Sequence, residues 1–224
     1  NISIGSWQTH FNYEIGKNVF LLDDKLFFAG ERAVFYIDRT ENTIQYLDKT
    51  QGFSDVSIAC IATSEQKNAL IIAYENSNID IYHNGSIFNI PELYTKQITG
   101  SKNINSIYCH GNFAYLACDF GIVCINLDKK IISDTWRFEE NDIQYPVLNL
   151  TICRDSVYAV TSNAIFSNKL NFSQINDFST WNQEFFDTTK HIFTNIAALD
   201  NILFCAAQIV QKDTSFNKIY VNKN

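Results

Sequence analysis

The residues that could hold a metal ion or form a disulfide are widely spaced along this chain. The six cysteines are Cys60, Cys109, Cys118, Cys124, Cys153 and Cys205, and the four histidines are His10, His83, His110 and His191. A zinc ribbon or a thioredoxin-type redox site needs two cysteines separated by two residues, and no such pair occurs. We expect buried free thiols, although Cys118 and Cys124 flank a short turn and could form a disulfide across a hairpin. No histidine lies three or four residues from another, so the sequence predicts no metal site.

Two polar segments contain residue types used in calcium loops and in acid–base catalysis. Asn76–Asp80 alternates oxygen-bearing side chains, but the glycine and glutamate of a calcium loop do not follow it. Glu139–Asp142 places three carboxylates in one connector, and paired carboxylates act as acid and base only when they are suitably buried and separated. We interpret the first segment as a structural turn leading into a strand, and the second as a solvated turn. The sequence therefore predicts no catalytic residue, no cofactor and no enzymatic activity.

Aromatic residues in the connecting segments are the remaining functional candidates. These are Trp136, Tyr145, Phe178 and Trp181. Exposed aromatic side chains are typical anchors of protein interfaces, and they can also stack on sugars. We predict partner-docking loops at residues 136–145 and 177–186. The alternative is that the rings fill gaps between packed sheets.

The elements that position these residues are indicated by an apolar motif that recurs about every 44 residues. Its five copies are Leu26–Ala29, Leu70–Ala73, Ala114–Ala117, Val157–Val160 and Leu203–Ala206. The last residues of the copies are 44, 44, 43 and 46 positions apart. A fixed period of this length is typical of repeat architectures.

Each repeat contains four short runs of strand-forming residues separated by Asp, Asn, Gly or Lys clusters. Four strands in 40–45 residues are characteristic of a β-propeller blade. The motif is apolar on both faces, as expected for a strand packed between neighbouring blades. A solenoid of helix pairs would need apolar residues at three-and-four spacing, which no segment sustains.

We therefore predict an all-β fold, a propeller with about five four-stranded blades in this chain. The predicted blade limits are approximately 11–50, 51–95, 96–138, 139–180 and 181–224, and residues 1–10 are predicted to form a terminal strand. We expect these blades to belong to a larger, seven-bladed ring, because an open arc would expose two apolar blade faces.

Composition narrows the classes of partner. The formal net charge of −7 disfavours a nucleic-acid surface, and no run of Lys or Arg is longer than two. No apolar stretch of 18 residues is present, so the sequence predicts no transmembrane helix.

Several segments resemble known propeller families. Gly52–Asp55, with the strands that follow it, resembles the two-component-regulator propeller repeat, whose turn glycine is retained at Gly121. A closer resemblance is to the PorZ-type proteins of the type IX secretion system of bacteroidetes. It rests on Ile4–His10, Ile98–Asn105, Ala114–Val123 and Asp177–Trp181.

The PorZ-type resemblance implies a non-enzymatic interaction module, exported to the periplasm or to the outer-membrane surface. Its expected partners are proteins of a secretion and attachment complex, including a sortase-like protease, and lipopolysaccharide or another glycan. The alternative implied by the regulator repeat is an extracellular, oligosaccharide-sensing propeller of a hybrid two-component system. Neither resemblance assigns a ligand-binding residue.

Overall fold

The computed structural model describes residues 16–186, 191–211 and 214–222. Antiparallel sheets follow one another along this part of the chain, and each blade-like sheet is built from consecutive strands. The strands fall into two compact units, one within residues 1–96 and one within residues 97–224. The first unit contains sheets one and two, and the second contains sheets three to five.

The strands of the first unit are short and are joined by tight turns. Sheet one consists of β1 (Gly16–Leu22), β2 (Lys25–Gly30), β3 (Val34–Asp38) and β4 (Thr43–Leu47). Sheet two consists of β5 (Ile58–Ser64), β6 (Ala69–Tyr74), β7 (Ile79–His83) and β8 (Ser86–Ile90). A 3-10 turn (Lys49–Gln51) precedes sheet two, and the short helix α1 (Glu92–Thr95) follows it.

The second unit has three sheets and one additional hairpin. Sheet three consists of β9 (Ile104–His110), β10 (Phe113–Cys118), β11 (Gly121–Asn126) and β12 (Ile131–Arg137). The additional hairpin consists of β13 (Glu139–Glu140) and β14 (Ile143–Gln144) and forms a sheet of its own. Sheet four consists of β15 (Asn149–Cys153), β16 (Ser156–Val160), β17 (Ala164–Lys169) and β18 (Asn182–Phe186), with a 3-10 turn (Phe178–Thr180) before β18. Sheet five consists of β19 (His191–Leu199), β20 (Ile202–Gln211) and β21 (Thr214–Asn222).

The repeat motif occupies the same strand of every sheet, which confirms the propeller-blade prediction. Its final residues lie in the second strand of sheets one to five: Ala29, Ala73, Ala117, Val160 and Ala206. All six side chains of β6 are buried, as are five of the six in β10. This burial on both faces explains why the motif does not alternate apolar with polar residues.

The face of sheet one that points away from sheet two is apolar and partly exposed, with its outer-strand side chains about half exposed or more. Two rows of side chains cross its four strands: Val19, Phe28, Phe35 and Tyr46, and beside them Leu21, Leu26, Ile37 and Ile44. The rings of Phe28 and Phe35 are stacked, with centroids 4.8 Å apart. Such a continuous apolar sheet face is uncommon on a soluble monomer.

Sheet five has three strands among the described residues, whereas sheets one to four have four strands each. Its last strand, β21, also exposes apolar side chains, including Phe216 and Ile219. Sheet four continues a few residues past 180, the approximate limit predicted for the fourth repeat, because β18 pairs with β17 and ends at Phe186. The long segment before β18 has no alternation of apolar and polar residues, so the sequence does not indicate that the fourth repeat extends to this strand. The predicted terminal strand at residues 1–10 lies outside the described residues.

The hairpin disulfide considered above is wrong, because the two thiols lie on opposite faces of sheet three. Cys118 is opposite Gly121, whereas Cys124 is opposite Tyr115, and adjacent strand positions alternate between faces. The six cysteines are not joined by disulfide bonds. Burial raises the pKa of the Cys109 thiol to about 12 and that of Cys205 to about 11, so these thiols are weak nucleophiles at neutral pH.

A buried carboxylate joins the strands of sheet two to the loop that precedes it. Asp80 is fully buried, and it accepts hydrogen bonds from the Ser54 backbone N–H and hydroxyl, each at 2.7 Å. The Tyr74 hydroxyl at 2.7 Å and the Asn89 side-chain amide at 2.9 Å also donate to it. Burial and the nearby Asp80 carboxylate raise the pKa of Tyr74 far above its usual range, which keeps its hydroxyl protonated as a donor. Ser54 of the regulator-type motif therefore has a structural role.

Replacing Asp80 with Asn is expected to lower the free energy of unfolding by about 2 kcal/mol. The amide has one acceptor oxygen in place of two, so one or more of the donors around it loses a partner. The denaturant midpoint of Asp80→Asn measures this effect, with Asp24→Asn at an exposed turn position as the control. Equal midpoints for the two variants would show that the hydrogen-bond network does not stabilise sheet two.

Within the part of the chain that the structure describes, no helix is long and apolar enough to span a membrane.

Candidate docking surface

The four aromatic residues that the sequence singles out lie in one cluster between sheets three and four. Trp136 belongs to β12, Tyr145 follows the hairpin, and Phe178 and Trp181 lie at the 3-10 turn before β18. The ring centroids of Trp136 and Trp181 are 6.0 Å apart, and those of Tyr145 and Phe178 are 5.3 Å apart. Phe138 connects the pairs, at 4.6 Å from Trp181 and 4.9 Å from Phe178.

Trp136 and Trp181 are part of the core between the two sheets. They are 4% and 7% exposed, and both indole N–H groups have partners. Trp136 donates to Asp134 Oδ2 at 2.9 Å, and Trp181 donates to the backbone carbonyl of Ile175 at 2.8 Å. These two rings therefore fill the gap between sheets three and four, as the alternative interpretation of the connector aromatics expected. Docking stays a prediction for the half-buried Tyr145 and Phe178.

The β13–β14 hairpin beside this cluster is held by hydrogen bonds at its base and at its side. Its turn residues Asn141 and Asp142 have φ of 50° and 63°, the left-handed conformation of a tight two-residue hairpin. The backbone N–H of Tyr145 donates to the carbonyl of Phe138 at 2.8 Å, which closes its base. The Gln144 side-chain amide donates to the carbonyl of Thr99 at 3.3 Å. The hairpin is therefore fixed both at its base and at its side.

Gly121 allows the strand that carries Trp136 to approach β11 closely. Its φ is 137°, and a Cβ there would overlap the carbonyl oxygen of Trp136 and lie 2.9 Å from the backbone nitrogen of Phe138. Only glycine can adopt this positive φ and also leave the space that a Cβ would occupy. The turn glycine noted in the sequence thus positions the aromatic cluster.

The segment before β18 is held by polar contacts that present Phe178. The Asp177 carboxylate accepts from the backbone N–H of Ser179 at 3.0 Å and from its hydroxyl at 2.8 Å. The Asn168 amide donates to the Thr180 hydroxyl at 2.9 Å. The segment is therefore ordered by its own side chains, although it has little regular structure.

We define the docking surface as residues 137–146 and 170–181. Its most exposed apolar side chains are Ile143, 59% exposed, and Phe172, 41% exposed. Sequence analysis missed both, because a single apolar residue in a polar connector does not reveal whether it is exposed. The two segments carry four carboxylates and one guanidinium, and Arg137 lies 3.6 Å from Glu139. A partner could bury the exposed apolar side chains here and pair its own charged groups with the carboxylates.

A cavity of about 250 Å³ lies between sheets four and five. Its walls are mainly apolar, and Tyr158, Glu184 and Tyr220 supply polar groups. The Ser167 hydroxyl donates to the Glu184 carboxylate. Residues 16–186, 191–211 and 214–222 contain no group of three His, Cys, Asp or Glu side chains placed to hold a metal ion.

The sequence matches one protein-family model, the type IX secretion system PorZ N-terminal β-propeller domain, over residues 26–182. The match includes the hairpin and the whole docking surface. No curated protein sequence gives a significant match.

Among solved structures, similarity is found to PorZ of Porphyromonas gingivalis, described as an essential bacterial surface component of the type IX secretion system. The TM-score is 0.73 at 20% identity, over 92% of this chain and 28% of that one. The extracellular domain of the one-component system BT4673 of B. thetaiotaomicron gives a TM-score of 0.64 at 15% identity, over 89% and 27% of the respective chains. Hsv2p of Kluyveromyces lactis gives 0.56 at 8% identity, over 93% and 72%.

These similarities concern the fold, and the chain spans just over a quarter of the length of the two bacterial structures.

Proposed function

The chain belongs to the family of type IX secretion system PorZ N-terminal β-propeller domains, and from this we propose that it is a non-enzymatic interaction module of that secretion system. The observation that carries the proposal is the family match over residues 26–182. It is supported by structural similarity to PorZ, a surface component of this system in Porphyromonas gingivalis. On this proposal the protein is exported and acts at the cell surface.

The proposed mechanism is docking on a rigid scaffold. Blade packing uses both faces of the strands, so binding groups are left mainly to the connecting segments. The docking surface offers half-buried Tyr145 and Phe178 and exposed Phe172. Its proposed partner is another protein of the secretion and attachment complex, with a sortase-like protease as the first candidate. Lipopolysaccharide or a related glycan is the candidate non-protein ligand.

We also propose that the five sheets belong to a larger ring of seven blades. The apolar outer face of sheet one supports this, because its two side-chain rows have the chemistry of a blade interface. The exposed side chains of β21 support it for sheet five. On this proposal the 224-residue chain alone self-associates, and sedimentation velocity over a range of concentrations detects it. A strictly monomeric chain at high concentration would contradict the proposal.

Retention of partners by the tagged full-length protein tests the docking role. Phe172→Ser removes an exposed ring from the docking surface, and Tyr94→Ser removes a half-exposed ring from α1 in the first unit. We expect the first variant to retain several-fold less partner from outer-membrane extracts than the second, with both variants folded. Equal retention by the two variants would reject the docking surface. Unimpaired export of type IX cargo in a strain that lacks the gene would reject the secretion role.

The second candidate function is sensing by an extracellular propeller that binds oligosaccharide. The structural similarity to the extracellular domain of BT4673 favours it. The domains encoded by the rest of the gene distinguish the two candidate functions. A transmembrane helix followed by a regulatory region supports the sensor, whereas a second propeller and a small β-domain support the secretion component.

A further inference from the structure

The docking surface carries an exposed apolar side chain on the β13–β14 hairpin. Ile143 is directly opposite Glu140 in the β13–β14 register, and more than half of its side chain faces solvent. Burying an isoleucine side chain against a partner stabilises a complex appreciably. Ile143 is therefore suited to act as an anchor.

The hairpin requires little ordering when it binds. Its two-residue turn is fixed by the left-handed Asn141 and Asp142. Its base is closed by the hydrogen bond between Tyr145 and Phe138 and rests on the buried Phe138 ring. A preorganised element loses less conformational entropy on association than a mobile loop.

The charge around this anchor selects the kind of partner. Glu140 and Asp142 lie beside Ile143 and are exposed, and Glu139 and Asp177 add two further carboxylates. Arg137 is the one cationic residue of the docking surface, and it already lies near Glu139. An acidic partner surface would be repelled here, whereas a basic one gains complementary charge.

We propose that the hairpin tip, residues 140–143, docks a cationic protein surface that has an apolar recess for Ile143. This rests on the proposed function and specifies the chemistry of its partner. Complementary charge accelerates encounter and fixes orientation, and the Ile143 side chain contributes affinity by leaving water.

Three labelled peptides serve as probes: four lysines around a central leucine, the same with a central serine, and four glutamates around a central leucine. Fluorescence anisotropy with the native chain is expected to show the lysine–leucine peptide binding most tightly, and more weakly as salt rises. Ile143→Ser is expected to weaken it about ten-fold, and Glu140→Gln with Asp142→Asn about five-fold. Asn tolerates the left-handed conformation of position 142, so the turn is kept.

Matched controls remove the same groups elsewhere. Leu199→Ser removes an exposed apolar side chain of sheet five, and Glu65→Gln with Glu75→Gln removes two exposed carboxylates of the first unit. Unchanged affinity in both controls supports the proposal. Equal weakening by the control and hairpin variants overturns it, as does equal binding of the lysine–leucine and glutamate–leucine peptides.

Failure of this inference is distinguishable from failure of the proposed function. If the native protein retains partners in outer-membrane extracts and the folded hairpin variants retain them equally, the hairpin proposal alone is overturned. If the native protein retains none while the peptide results hold, the proposed secretion role fails and the cationic site stands.

Discussion

The variant Gly121→Ala is expected to lose about 4 kcal/mol or more of unfolding free energy, which places it at the limit of folding. The residue has a φ of 137°, a conformation that is essentially restricted to glycine. The added methyl group would also overlap the carbonyl oxygen of Trp136. Strands β11 and β12 would have to separate, and the aromatic cluster would lose its packing.

Gly85→Ala is the matched control for this prediction. Gly85 also has a positive φ, of 77°, but no atom lies within 4 Å of a Cβ placed there. Its substitution should therefore cost only about 1 kcal/mol, for the backbone conformation alone. Denaturant unfolding of both variants separates overlap from conformational strain. A difference of less than about 1 kcal/mol between them would contradict the close approach at Gly121.

Trp181→Ala is expected to cost about 4 kcal/mol, because it empties a large buried volume between sheets three and four. The ring lies 4.6 Å from Phe138, and its N–H donates to the carbonyl of Ile175. The truncation removes both interactions and leaves that carbonyl without this donor. The change in thermal midpoint and in denaturant midpoint measures the loss.

Two comparisons separate packing from docking at Trp181. Phe172→Ala at the exposed surface should change stability by less than about 0.5 kcal/mol. Trp181→Phe keeps most of the ring and should remain folded with normal partner retention, since Trp181 is buried. Stability close to native in Trp181→Ala would contradict the packing role. Lost retention by a stable Trp181→Phe would instead place this ring at the interface.

The blade architecture could be predicted because each repeat contains its own apolar motif and its own four runs of strand-forming residues. The motif from Leu70 to Ala73 is apolar at every position, since the strand is covered on both faces. Four runs of strand residues in about 44 positions leave few alternatives. Pairing of Cys118 with Cys124 would need a turn of five residues, but the turn has only two, so Cys118 is opposite Gly121 and Cys124 is opposite Tyr115.

The candidate site could be predicted only in part. Trp136 and Trp181 are recognisable as aromatics outside the repeat, but their burial depends on how residues 170–181 fold back onto sheet three. That path follows from contacts distant in sequence, such as Phe138 with Phe178. The β13–β14 hairpin could not be predicted from the sequence either. Asn and Asp are common in every kind of solvated turn, and only the positive φ values of Asn141 and Asp142 identify a two-residue hairpin turn.

The central claim, that residues 137–146 and 170–181 dock a partner, is tested most directly by cross-linking in the living bacterium. A photoreactive phenylalanine analogue at position 172 of the full-length protein reports what lies against the docking surface. Position 94, where Tyr94 is half exposed in the first unit, is the control. We predict a discrete cross-linked protein from position 172 that is absent from position 94. No adduct at position 172, or the same adduct from both positions, would contradict the docking surface.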